Sequence, residues 1–215
     1  MKKFVLKLRI VATIFACLAV MMLVSCNKDD DGLSTSTITS ITANVEGGSA
    51  LNDLIDEVKL VTWNNSGDDV VLATAKFSNG GFKIVLPETV PSNVLSSFNE
   101  DYLDEDIKVS NMNVETTYAE LHAYNENGDR IGFFYYYKEN ATTDVEMDLV
   151  YANGDVNITG KITDEYGTET WSVYLKKGWN QVFYIDKELP NDKWEDSVTT
   201  TSQSGMKWFF DDGGQ

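Results

Sequence analysis

The chain is predicted to be all-β, an antiparallel β-sandwich, and three observations carry that expectation. From Thr39 onward apolar and polar residues alternate with a period of two, and no long stretch keeps the period of an amphipathic helix. The alternating runs are short and recur about every 8–12 residues. Between them stand turn signals such as Asn79-Gly80, Asn127-Gly128 and Asn153-Gly154. About eleven short strands are implied, arranged as one sandwich or as two packed modules over residues 38–105 and 106–215.

In the first strand Ile41, Ala43 and Val45 alternate with Thr42 and Asn44, and Gly47-Gly48 ends it. Residues 58–63 and 70–77 read as strands around the turn Asn64-Asn65-Ser66-Gly67-Asp68. The strand at 82–86 follows Asn79-Gly80, whose residues accept positive φ, so it forms a hairpin with 70–77. Pro91 suits the first turn of a helix, and one or two helical turns are expected after it. Glu100, Asp101, Asp104, Glu105 and Asp106 then make a solvated acidic connection that lacks the residue order of a calcium loop.

The second half is more regular. Residues 117–124 and 130–137 flank Asn127-Gly128 and read as a hairpin. Val145, Met147, Leu149 and Tyr151 alternate with Glu146 and Asp148. Strands at 156–162, 171–175, 179–185, a Thr-rich one at 196–202, and 206–210 complete the body.

Ahead of this body lies a different kind of sequence. Lys2, Lys3, Lys7 and Arg9 precede residues 10–24, which are apolar except for Thr13 and Cys17. A basic start and about fifteen apolar residues make a secretory leader, shorter than the roughly twenty of a spanning helix. An uncleaved signal anchor is the alternative; the small Ser25 and the polar switch after Cys26 favour cleavage. Leu23-Val24-Ser25-Cys26 resembles the lipobox of bacterial lipoproteins. The resemblance implies that residues 1–25 are removed, that Cys26 receives the lipid, and that residues 26–37 form an acidic tether. Stable anchoring takes more than one acyl chain, and a lipobox cysteine carries two or three. Asn27-Lys28-Asp29-Asp30-Asp31 is similar to the acidic export signal of Bacteroidota-type surface lipoproteins, which implies the outer membrane, facing the cell exterior. A solvated spacer is its alternative reading.

Two further resemblances concern the body. Ile41-Thr42-Ala43-Asn44-Val45, with Gly80-Gly81-Phe82-Lys83-Ile84-Val85-Leu86-Pro87, resembles transthyretin-like or carboxypeptidase-regulatory-like β-sandwich modules. Such modules bind or space and are not catalytic. Leu175-Lys176-Lys177-Gly178-Trp179-Asn180 and Gly205-Met206-Lys207-Trp208 resemble the C-terminal halves of small Bacteroidota surface lipoproteins, which imply a location and a β-fold but no activity.

Charge and composition narrow the chemistry. The chain has 17 basic and 34 acidic residues, a formal charge of −17. Loss of the four basic leader residues would leave 13 basic against 34 acidic, or −21. So acidic a body repels phosphate backbones, and Arg130 is its only arginine after the leader, so no nucleic-acid partner is expected. Cys26 would be the only thiol left, which excludes an internal disulfide and a cysteine metal cluster. His122 is the sole histidine, so Ser-His-Asp chemistry and zinc sites lack support, and no metal or cofactor is expected. On its strand His122 shares a face with Tyr118, Glu120 and Tyr124, and its ring is expected to be solvent-exposed.

The aromatic run Phe133-Phe134-Tyr135-Tyr136-Tyr137 puts rings on both faces of one strand. Alternation counted from Ile131 turns Phe133, Tyr135 and Tyr137 inward and leaves Phe134 and Tyr136 outward as candidate ligand-binding residues. The alternative is that Phe134 and Tyr136 face a packed module.

The expected function is that of a non-catalytic cell-surface lipoprotein, held to the membrane through Cys26 and binding a glycan or a protein, with no catalytic residue assigned. A structural, fimbria-like envelope subunit is the alternative, since fimbrial lipoprotein precursors resemble the chain in leader and all-β body. Their cleavage after a basic residue finds no arginine between Cys26 and Arg130. A glycoside hydrolase using Asp and Glu alone is a third reading, though 34 acids make carboxylate pairs inevitable by chance.

Overall fold

Period-two alternation becomes strand along most of the body. The computed structural model describes residues 37–100, 103–191 and 193–213; the leader, Cys26 and the acidic run after it lie outside these residues. Four strands come first: β1 (Ser40–Asn44), β2 (Glu57–Trp63), β3 (Asp69–Ser78) and β4 (Gly81–Val85). Two short ones follow, β5 (Ser96–Ser97) and β6 (Ile107–Val109). Then come β7 (Glu115–Tyr124), β8 (Arg130–Glu139), β9 (Thr143–Ala152), β10 (Val156–Thr163) and β11 (Gly167–Leu175). The last are β12 (Gly178–Leu189), β13 (Lys193–Thr199) and β14 (Lys207–Asp211).

The fold is all-β and mostly antiparallel, with fourteen strands among the described residues where about eleven were expected. The main additions are β5 and β6, of two and three residues, too short for alternation to reveal. The expected helical turn after Pro91 is a single 3-10 turn at Ser92–Val94. The strand path runs β1-β4-β3-β2-β7-β8-β9-β12-β13-β11-β10-β6, with β14 beside β8 and β5 beside β7. Among the strands of the described residues only β11 and β13 pair in parallel, and an isolated bridge between Val45 and Trp208 is parallel too. Because β2 pairs with β7 from Glu57 to Val61, hydrogen bonding crosses the 105/106 boundary, and the two predicted modules share one sheet.

Turn chemistry explains the hairpins. Asn79 and Gly80 both adopt positive φ, 54° and 75°, the backbone that a tight two-residue hairpin between β3 and β4 demands. The loops Asn64–Asp68 and Asn125–Asp129 are built alike. In each, the first asparagine's Oδ1 accepts from the N–H groups two and four residues on, and a glycine takes φ near +83°. This shared Asn-x-x-Gly-Asp pattern joins β2 to β3 and β7 to β8.

β3 serves two ladders, Asp69–Ala75 and Lys76 with β2, then Phe77 and Ser78 with β4, and so turns the chain into a small layer made with β4 and β1. That layer packs its inward residues Ile41, Ala43, Phe82 and Ile84 over one face of the large sheet. There they meet Leu60, Leu121, Phe134, Leu149 and Phe183. A second cluster, with Val156, Ile158, Val173, Val182 and Val198, lies on the opposite face of the sheet. β12 therefore buries Trp179 and Phe183 on one side and Val182 on the other, which breaks its alternation.

Candidate functional site

The aromatic strand β8 decides where the exposed rings lie, and a bulge sets its phase. Neighbouring β7 residues Ala123 and Tyr124 pair with Gly132 and Arg130, so Ile131 is an extra residue in β8. Ile131 packs against the first core cluster, yet after the bulge the inward positions are Phe134 and Tyr136. Gly132 sits at this point with φ 157°, and a Cβ there would collide with the Asp211 carbonyl and the Phe210 ring of β14.

The expected outward position of Phe134 is thereby corrected. Phe134 is 4% exposed and packs among Phe77, Phe82 and Phe210 at centroid distances of 5.7, 5.0 and 5.6 Å. Tyr136 shares its face, half-buried against Trp208 at 4.9 Å. Alternation counted from Ile131 fails because one inserted residue moves every later side chain to the other face.

The rings that reach the outer face are the three expected to be inward. Phe133, Tyr135 and Tyr137 form a row at 6.0 Å intervals, and Phe209 of β14 stacks on Tyr135 at 5.6 Å. Across β7, Tyr118 is exposed and lies 5.2 Å from Trp63 of β2. Tyr184 of β12 stands opposite Glu146 on the same face. The aromatic face thus spans five strands, and alternation alone could not find it without the bulge.

His122 belongs to this face, as its parity predicted, but its expected exposure is corrected: it is 2% exposed. Trp63 covers it edge-on at 6.3 Å, and Phe133 is its cross-strand neighbour. A polar strand face says nothing of the rings that adjoining strands lay over it. Its Nε2–H donates to the Glu120 carboxylate at 2.8 Å, and Nδ1 has no partner among the described residues.

Carboxylates line the rest of the face. Burial pushes Asp148 up to about 6, with repulsion from Glu146 and Glu120 adding to it. Glu146 is raised by loss of surrounding water, then by Asp186 and Glu120. Neither Glu146 nor Asp148 pairs with a described lysine or arginine. Burial first, then Asp148 and Glu146, lift the Tyr184 hydroxyl to about 12; burial followed by Asp211 and Glu146 raises Tyr135. The tyrosines therefore remain protonated donors at neutral pH beside carboxylate acceptors. One rung further on, Asp144, Asp186, Asp196 and Glu169 stand side by side on β9, β12, β13 and β11.

This arrangement offers flat rings for stacking, with hydroxyl donors and carboxylate acceptors at their edges. Among the described residues, no three His, Asp or Glu side chains gather in a group that could hold a metal ion. No protein-family model, curated protein or solved structure matches the chain.

Proposed function

We propose that this chain is a non-catalytic, lipid-anchored protein of the bacterial outer surface whose aromatic face binds a neutral glycan. The observation that carries this reading is the Phe133–Tyr135–Tyr137 row, with its regular 6.0 Å spacing and the stacked Phe209. Sugar rings lay their apolar faces on such aromatics, while hydroxyls bond to the neighbouring carboxylates and tyrosines. The unpaired Glu146 and Asp148 repel acidic polysaccharides, which narrows the ligand to uncharged ones. Display at the surface rests on the leader, Cys26 and the acid run behind it.

Binding of the detergent-solubilised full chain to an array of neutral and uronic-acid oligosaccharides tests the proposal. At least one neutral glycan should bind, no uronic-acid glycan should, and Tyr135→Ala should weaken binding about five- to tenfold. Silence across the neutral glycans would sink the reading. The anchor has its own check: Cys26→Ala should move the protein out of the membrane fraction.

One observation favours a second reading. Asp148, pushed up to about 6 by burial and then by Glu146 and Glu120, keeps its proton to the higher pH that a general acid needs, with a carboxylate for company. Release of reducing sugar from a bound oligosaccharide, abolished by Asp148→Asn, would make the protein a hydrolase instead.

A further inference from the structure

On the opposite face of β8 from the aromatic row, beside β1, lies a cavity of about 190 Å³. It exists because of how β1 is held. Val45 N–H donates to the Gly80 carbonyl, so odd-numbered residues of this segment turn their backbone groups toward β4. The backbone groups of Ser40 and Thr42 therefore point the other way. Among the described residues that second edge is tied only at its ends, where Ile38 N–H donates to the Trp179 carbonyl at 3.0 Å and Glu46 N–H to the Trp208 carbonyl at 2.8 Å. Between the ties the edge opens onto the cavity.

Its floor is aromatic: Tyr136 and Trp208 lie 4.9 Å apart, with Phe183 next to them. Its rim is polar and uncharged, formed by Ser40, Thr42, Gln181 and Ser202. In a chain with 34 acidic residues, no described carboxylate, lysine, arginine or histidine lines it. The side chains of Gln181 and Ser202 and the Tyr136 hydroxyl make no hydrogen bond with a described residue, and none is sealed from solvent. An aromatic floor under unengaged neutral donors and acceptors suits a molecule with one apolar face and several hydroxyls.

We propose that this cavity binds a single neutral sugar unit, stacked on Tyr136 and Trp208 and hydrogen-bonded to Gln181, Ser202 and the free backbone edge of β1. The proposal borrows its ligand class from the glycan reading above, but the site is separate. Size agrees, because the cavity is smaller than the roughly 300–1,000 Å³ that drug-sized ligands occupy. An added β-strand, the other occupant a free edge invites, has no room to run past the two ties.

The test is ¹⁵N-resolved titration of the solubilised full chain with methyl glycosides of glucose, galactose, mannose and N-acetylglucosamine. At least one should shift the amides of Ser40 and Thr42 and the Gln181 side chain, leaving Tyr135 and Tyr137 unmoved. Gln181→Leu, which keeps the side chain's bulk, should weaken that binding at least about tenfold. Ser202→Trp, at an exposed rim position, should block it while the fold persists. Shifts confined to Tyr135 and Tyr137 would overturn the cavity proposal and leave the outer face standing. Absence of any shift with all four sugars would overturn it as well, and the oligosaccharide array then judges the outer face alone.

Discussion

Trp179→Ala is expected to destabilise the fold by about 3–5 kcal/mol, the range for removing a fully buried large aromatic side chain. Trp179 is 2% exposed and sits where three parts of the chain meet. Its indole N–H donates to the Pro87 carbonyl at 2.9 Å, and its ring meets Tyr151 of β9 edge-on at 5.5 Å. Its backbone carbonyl receives the N–H of Ile38, one of the two ties on β1. Tyr151 in turn donates to the Glu88 carbonyl at 3.3 Å, so both rings pin the segment after β4 to the large sheet. A small domain holds about 5–15 kcal/mol in total, so this single change removes a large share. Urea unfolding should show a lower midpoint with an unchanged slope. Trp179→Phe should cost only about 1–2 kcal/mol, mostly the lost hydrogen bond. A loss below about 1 kcal/mol for the alanine variant would show that Trp179 does not hold these segments together.

Stability should fall as pH rises from about 4 to 7, the reverse of an ordinary salt-bridged protein. The cause is the carboxylate side of the outer face. Asp148 rises from 3.8 to about 6 in the folded chain, so between those values the native state binds more protons than the unfolded one. Its contribution is intact below about pH 4 and is lost as pH climbs through 6. A rise of that size corresponds to about 3 kcal/mol at neutral pH. Glu146, Asp186 and Asp196 are raised as well, each by burial first, so they push the same way. The groups facing Asp148 are Glu120 and Tyr118 on β7, Glu146 on β9 and Tyr184 on β12, with no described lysine or arginine paired to it. Asp155, lowered first by the Lys177 backbone N–H and then by the Lys176 ammonium, and Glu195, lowered by the Lys187 ammonium, oppose the trend only at more acidic pH. Asp148→Asn should therefore be more stable than the parent at pH 8 by about 2–3 kcal/mol and flatten the profile. A parent chain equally stable at pH 5 and 8 would refute this account.

Local features are legible in the sequence. The Asn79-Gly80 and Asn127-Gly128 hairpins form where turn chemistry puts them, because the required backbone is a property of two residues. The face of His122 also follows from parity. Its burial does not, because Trp63 arrives from β2, more than fifty residues earlier, and no local pattern announces that contact. The parallel pairing of β11 with β13 and the joining of both halves through β2 and β7 are likewise long-range choices. The outer aromatic face escapes the sequence for a sharper reason. Strict alternation assigns Phe134 and Tyr136 to it in place of Phe133, Tyr135 and Tyr137, since an inserted residue in a strand leaves no mark in composition.

That inserted residue is where the β7–β8 hairpin stores one unit of slack. Deleting Ile131 would make Arg130 and Gly132 neighbours opposite Tyr124 and Ala123, which is a regular ladder, and would leave Leu121 paired with Phe134 and His122 with Phe133. Phe134 would stay among Phe77 and Phe82, and the outer row would keep its side. The loss would be the contact that Ile131 makes with the core and the local bend of the strand. A deletion inside the regular ladder, at Phe133, has the opposite effect: every ring after it changes face. Drift in this gene should therefore tolerate a lost codon at 131 far better than one at 133.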